Sequence, residues 1–190
     1  LLLFAALPVL LAGYGWKECC GQNSSTTPVR ISLIQGNIPQ DIKWEPVARG
    51  KILEIHLKLS ELASFDKPDL IIWPEAAFPG YFNRDSEAEK VFAFASGLHI
   101  PMIIGSPHSK TWEAAFNSAY LLDEDGQIQN RYDKMFLVPF GEYVPLKPIF
   151  GFLEKIAYSL GVSDFYAGHE FTVFTLKKGT PFSVLICFED

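Results

Sequence analysis

Short apolar runs alternate with amphipathic stretches along most of this chain. Residues 29–36 (VRISLIQG) alternate strongly enough for a first strand, ended by Gly36. Pro46 suits the first turn of a helix, and Ile52, Ile55, Leu59 and Leu62 recur at three and four, which predicts an amphipathic helix to about Ser64. After a Lys67-Pro68-Asp69 turn, Leu70-Ile71-Ile72-Trp73 reads as a short buried strand. A second helix is expected over residues 86–97, with Ser86 as its N-cap and Gly97 at its end. Strands follow at 100–105 and 116–122, with Asp125-Gly126 as a hairpin turn before Ile128. This βαβαββ order predicts an α/β sandwich.

The final third is less regular. Residues 149–160 place Phe152, Ile156 and Leu160 at helical spacing, suited equally to a core helix and to one lying against a membrane. Residues 171–176 and 182–186 read as a hairpin around Lys177-Lys178-Gly179-Thr180, whose second strand carries Cys187 at its end. At the other end, residues 1–12 (LLLFAALPVLLA) are apolar and uncharged but shorter than the ~20 residues that span a bilayer. They fit the tail of a membrane helix, the core of a signal peptide or a buried helix. Pro8 and the aromatic pair Tyr14 and Trp16 favour the first, so residues 1–16 are expected to end a transmembrane helix. Residues 17–28 are then a linker and residues 29–190 a single catalytic domain. A chain that opens on Leu1 and stops just past a strand is expected to carry an unfinished sheet.

Composition narrows the partners. With 190 residues, 48% of them hydrophobic, one sizeable core is affordable. The net charge of −6 and the lack of a long basic cluster argue against nucleic acid. Three cysteines, with Cys19 and Cys20 adjacent, make no disulfide framework. His56, His99, His108 and His169 lack metal-ligand spacing and read as structural or surface residues, so no metal and no cofactor are expected.

Three positions suggest chemistry. Glu75 directly follows a strand among Ala76, Ala77 and Phe78, where desolvation would raise its pKa toward that of a general base; a helix-capping glutamate is the plain alternative. Lys134 sits ahead of an apolar, proline-pinned loop, although most lysines are simply solvated. Cys187 ends a strand, though a small buried cysteine is commonly inert. If the three strands are neighbours, Glu75 takes the thiol proton, Cys187 attacks an acyl carbon and Lys134 stabilises the developing oxyanion.

That ordered Glu–Lys–Cys set resembles the nitrilase, or carbon-nitrogen hydrolase, superfamily, and within it the apolipoprotein N-acyltransferase branch. The resemblance is carried by QGNIPQ (35–40) with Trp44, by Trp73-Pro74-Glu75, Tyr132-Asp133-Lys134, LVPFGEYVP (137–145) and Ile186-Cys187-Phe188-Glu189. It implies an αββα sandwich, incomplete at the C-terminus here, in a bacterial inner-membrane enzyme whose catalytic domain faces the periplasm. Such enzymes move an acyl chain from a phospholipid, typically phosphatidylethanolamine, through a cysteine thioester to the amino group of an apolipoprotein's diacylglyceryl-cysteine. By position, Glu75 is the base, Lys134 the stabiliser and Cys187 the nucleophile. Glu142 matches an additional essential glutamate, Trp44 and Glu189 match positions important to activity, and Asn117 matches a functional asparagine. Phe188 stands where tyrosine is common. Phe136, Phe140, Phe150, Phe152 and Phe165 could line a lipid-accessible mouth. The alternatives are a soluble nitrilase-type amidase acting on a small amide, and an inactive truncated remnant.

Overall fold

The computed structural model describes residues 13–15, 28–111, 114–144, 165–177 and 179–189. The expected membrane segment, Trp16, the Cys19–Cys20 pair and the 149–160 helix lie outside these, apart from a helical stretch at 13–15. No helix among the described residues is long and apolar enough to cross a membrane.

The frame is a five-stranded mixed sheet in simple order, β1 (Ile31–Leu33), β2 (Leu70–Ile72), β3 (Met102–Ser109), β4 (Ala115–Leu122) and β5 (Ile128–Asp133). β1, β2 and β3 run parallel, joined by crossovers that contain α1 (Arg49–Ser64) and α2 (Ala88–Leu98). β4 and β5 return antiparallel. A separate two-stranded ladder pairs β6 (Phe174–Thr175) with β7 (Pro181–Phe182).

The inner strands β2, β3 and β4 are buried on both faces, which is why they read as near-continuous apolar runs, while the edge strands β1 and β5 are largely exposed. Leu53, Ile71, Trp73, Phe82, Val91, Ile104 and Tyr120 pack together with both helices. The alternating positions Leu70, Ile103, Ala119, Leu121 and Tyr132 pack on the other face with Phe174, Leu176 and Ile186. The carboxyl ends of β2, β3 and β5 and the start of β4 therefore meet along one rim, as the pairing of Asn117 with Pro107 and of Ser118 with Asp133 records.

Several expected boundaries move. The first strand shrinks to Ile31–Leu33, and the first helix begins as a 3-10 turn at Pro46–Ala48 before turning α-helical at Arg49. Ser86 is not the N-cap of the second helix: Glu87 holds that place without a side-chain bond, and His99 closes the helix in the left-handed conformation while Gly97 stays inside it. The C-terminal hairpin is the largest correction. Its strands are two residues each, and Cys187 lies five residues beyond the ladder, exposed and at φ 58°.

Gly36 of the QGN stretch has a packing role. A Cβ there would stand 2.8 Å from His56 Cε1 and 2.9 Å from Nε2. That ring is itself fixed, buried with Nδ1 2.9 Å from the Ile52 carbonyl and 5.1 Å from the Trp73 ring. Trp73 in turn donates its indole N–H to Ser60 Oγ at 2.7 Å. Gly36→Ala is therefore expected to destabilise the fold by about 1–3 kcal/mol through overpacking. Gly50→Ala, in helix α1 with open space around it, should stabilise it by about 0.5–1 kcal/mol. Urea unfolding of both variants checks the contrast.

Candidate functional site

Glu75 leaves the sheet two residues after Trp73, whose N–H donates to the Ile103 carbonyl at 2.8 Å. The neighbouring strand presses close beneath it. A Cβ on Gly105 would lie 2.1 Å from the Pro74 carbonyl oxygen and 2.8 Å from Glu75 Cα, so only glycine permits the approach. Glu75 is exposed, so the desolvation expected from its apolar neighbours is missing. Its carboxylate is instead held by a hydrogen bond, donated by Asn117 Nδ2 to Oε1 at 2.6 Å.

Lys134 directly follows β5, and its N–H donates to the Asn117 carbonyl at 2.8 Å, extending the β4–β5 ladder by one bond. Alternation sets its direction. Asp133 is gripped by Arg131, through Nε and Nη2 at 2.8 Å each, and by Ser118 Oγ at 2.6 Å. The next side chain therefore turns to the opposite face. There the Lys134 ammonium is wholly buried and donates to Glu142 Oε2 at 2.7 Å. Removing one partner of such a pair strands a buried charge at a cost of about 3–5 kcal/mol.

Glu142 is delivered by the loop the sequence marked as LVPFGEYVP. Its Oε2 also accepts from the Val138 N–H at 2.9 Å, and its own N–H donates to the Val138 carbonyl at 2.9 Å, so the loop folds around its own carboxylate. Oε1 takes the second bond of the Asn117 amide, at 2.9 Å. One amide group thus bridges Glu75 and Glu142, and Lys134 supplies the positive charge that lets two carboxylates share this space.

Glu189 ties the turn that carries Cys187 to the end of β5 and the segment after it. That carboxylate accepts four hydrogen bonds: at Oε1 from Tyr132 Oη (2.8 Å), Met135 N (2.8 Å) and Phe136 N (3.0 Å), and at Oε2 from Ile186 N (2.9 Å). The turn holding the free, exposed thiol is thereby tied to the segment that begins one residue after Lys134. Burial opposes charge on Glu189, but the donated bonds outweigh it and hold the carboxyl below its ordinary value. Burial, with help from Glu189, pushes the Tyr132 phenol up to about 12. Trp44 and Phe188 are exposed at the surface. Lys43 escaped notice in the sequence, yet its Nζ donates to the Glu75 carbonyl at 3.1 Å. The signal for it was slight, a single lysine beside Trp44 in a loop.

The structure thus brings Glu75, Asn117, Glu142 and Lys134 together through an acid–amide–acid bridge backed by a buried ammonium, and ties the turn of the free, exposed Cys187 to the segment that follows Lys134. Comparison with known proteins shows the family: the chain belongs to the carbon-nitrogen hydrolase family, whose model matches residues 30–190. Among curated relatives, the apolipoprotein N-acyltransferase of Geobacter metallireducens is 37% identical over 99% of this chain and 36% of its own length. That of Methylococcus capsulatus is 32% identical over 99% of this chain and 37% of its own length. The chain thus spans little more than a third of these relatives. Among solved structures, an amidase from a Nesterenkonia species with the acetamide moiety of fluoroacetamide covalently added at its active-site cysteine superposes with TM-score 0.57 at 22% identity. It covers 85% of this chain and 56% of that one, a likeness of fold alone. The α/β fold with its mixed sheet is nitrilase-like.

Glu189→Gln removes the charge that collects these four bonds, and hydrogen bonds to a charged acceptor are worth about 1.5–3 kcal/mol each. Two outcomes are expected. Urea unfolding should show a loss of at least about 2 kcal/mol, and the Tyr132 phenol should titrate lower, read as the phenolate absorbance absent from Tyr132→Phe. The sign for pH follows from the lowered carboxyl: the Glu189 contribution is present above its ordinary 4.5 and is lost as pH falls below it.

Proposed function

We propose that this chain is the catalytic part of a lipoprotein N-acyltransferase. The observation that carries the reading is the Asn117 bridge, which joins Glu75 to the Lys134–Glu142 pair at the rim where Glu189 anchors the Cys187 turn. The names of the curated relatives support the branch.

In this reading Glu75 removes the Cys187 proton and the thiolate attacks the ester carbonyl of a phospholipid, phosphatidylethanolamine being the expected donor. Lys134 stabilises the oxyanion. Collapse breaks the acyl C–O bond, the lysophospholipid oxygen takes the proton from Glu75, and the acyl chain remains on sulfur as a thioester. The α-amino group of a diacylglyceryl-cysteine then attacks that carbon. Its C–N bond forms as the C–S bond breaks, its proton passes to Glu75, and the thiol regains a proton. Asn117 and Glu142 hold Glu75 and Lys134 in register, while Glu189 holds the nucleophile's turn.

A lipid donor needs an apolar approach, and the exposed rings near the site fit one. Phe136 (63% exposed) accompanies the Glu189 tether, Phe140 (56%) lies in the Glu142 loop, and Phe188 (76%) adjoins Cys187. Placement at the bacterial inner membrane, with the catalytic domain toward the periplasm, follows from this reading. The amidase fold supports a second one, hydrolysis of a small amide with water as the second nucleophile.

Intact-mass analysis after mixing with phosphatidylethanolamine in detergent separates the two. The expected result is an acyl-sized, hydroxylamine-sensitive adduct absent from Cys187→Ala. Ammonia release from short amides, with no lipid adduct, would select the amidase.

A further inference from the structure

Glu75 sits in a tight turn rather than a strand, closed by the Ala77 N–H donating to the Pro74 carbonyl at 3.2 Å and tied to β3 by the Phe78 N–H donating to the Gly105 carbonyl at 3.1 Å. It stands past the end of β2, exposed, and the next residue, Ala76, adopts φ 48°, a left-handed conformation that costs a residue with a side chain about 1–2 kcal/mol. Such a turn persists only where its surroundings over-determine it. Gly105 gives close backing from beneath, and Asn117 ties the carboxylate from the sheet. A further support comes from the loop before the 3-10 turn, where the Lys43 ammonium donates to the Glu75 main-chain oxygen at 3.1 Å.

Lys43 is well placed for more than a surface contact. It is half-buried, in the loop between the QGN stretch and the 3-10 turn, immediately before Trp44. The titratable groups that bear on it are Glu75, whose charge favours the ammonium, and the buried His56 ring, which feels Lys43 as one cause of its own lowered proton affinity. Burial opposes the ammonium, and it is the larger influence of the two on Lys43. A lysine kept half-buried at that cost, with its hydrogen bond on the main chain of the expected base, is better explained by the base than by solvation.

We propose that Lys43 is a positioning residue of this site, which clamps the Glu75 turn through the main-chain oxygen and sets a positive charge beside its carboxylate. The role rests on the reading of Glu75 as the base. Lys134 serves the reacting oxygen from the sheet side, and Lys43 serves the base from the loop side. The two cations flank a pair of carboxylates with distinct tasks.

The test uses the full chain in two arms. In the first, the Lys43 Nζ resonance of 15N-lysine-labelled protein is titrated in the wild type and in Glu75→Gln. The Lys43 titration should move to lower pH in the variant, because the charge that favours its ammonium has gone. No movement would overturn the proposal. In the second, Cys187 acylation by p-nitrophenyl butyrate is followed by intact mass across pH for wild type, Lys43→Met and Lys43→Arg. Loosening the base should slow acylation about tenfold in Lys43→Met with little change in KM and with a displaced pH profile, and Lys43→Arg should recover most of it. An unchanged rate and profile in folded Lys43→Met would also overturn the proposal. Wild-type protein that never acylates, or Glu75→Gln that acylates normally, would instead remove the base reading. A Lys43 titration that still responded to Glu75 would leave the clamp standing.

Discussion

A lysine ammonium without water must be met by a carboxylate, and that requirement organises the rim of this sheet. Lys134 is fully enclosed, so Glu142 has to reach it, and the loop carrying Glu142 has to close on itself to do so. Once Glu142 is there, the Asn117 amide can span from it to Glu75, and a residue beyond β2 becomes coupled to one beyond β5. The cost of burying charge thus becomes positional precision, since each partner is fixed by the others. The sheet supplies the spacing: parallel strands followed by an antiparallel pair put the required ends side by side.

The Cys187 turn is held by a different device. Glu189 gathers main-chain N–H groups from both sides of the gap between Lys134 and the Cys187 turn, much as a capping carboxylate satisfies a helix end. Among the described residues no ladder reaches Cys187, and the Glu189 carboxylate supplies the anchoring seen there. This accounts for a glutamate two residues after the cysteine having a structural task, even though it lies outside the expected proton path.

Much of this was readable beforehand, for physical reasons. The apolar runs at 70–73, 100–105 and 116–122 mark strands buried on both faces, whereas the helical spacing at 52–62 finds the helix but not its buried face, which is formed by Ile52, Leu53, His56 and Ser60 while Leu62 is exposed. Glu75 stood out because a charged residue rarely follows such a run directly, and Lys134 because an apolar, proline-pinned loop comes right after it. What failed depends on distance in space. Nothing in the local sequence says that Ser86 is passed over as a cap, or that 183–186 leaves the ladder, since tertiary contacts decide both. The exposure of Glu75 was missed because apolar sequence neighbours do not imply burial where Pro74 and Ala76 turn the chain outward. Lys43 was missed because its partner is a main-chain oxygen 32 residues away, which leaves no trace in composition or spacing.

The central claim is that Cys187 works with Glu75 and Lys134 as one site. A crystal structure of the chain carrying an acyl or acetamide group on Cys187 tests it most directly. The account predicts the carbonyl oxygen of that group within about 3.5 Å of Lys134 Nζ, with the Glu75 carboxylate next to the sulfur. An adduct turned into solvent, with Lys134 bonded only to Glu142 and Glu75 only to Asn117, would contradict it.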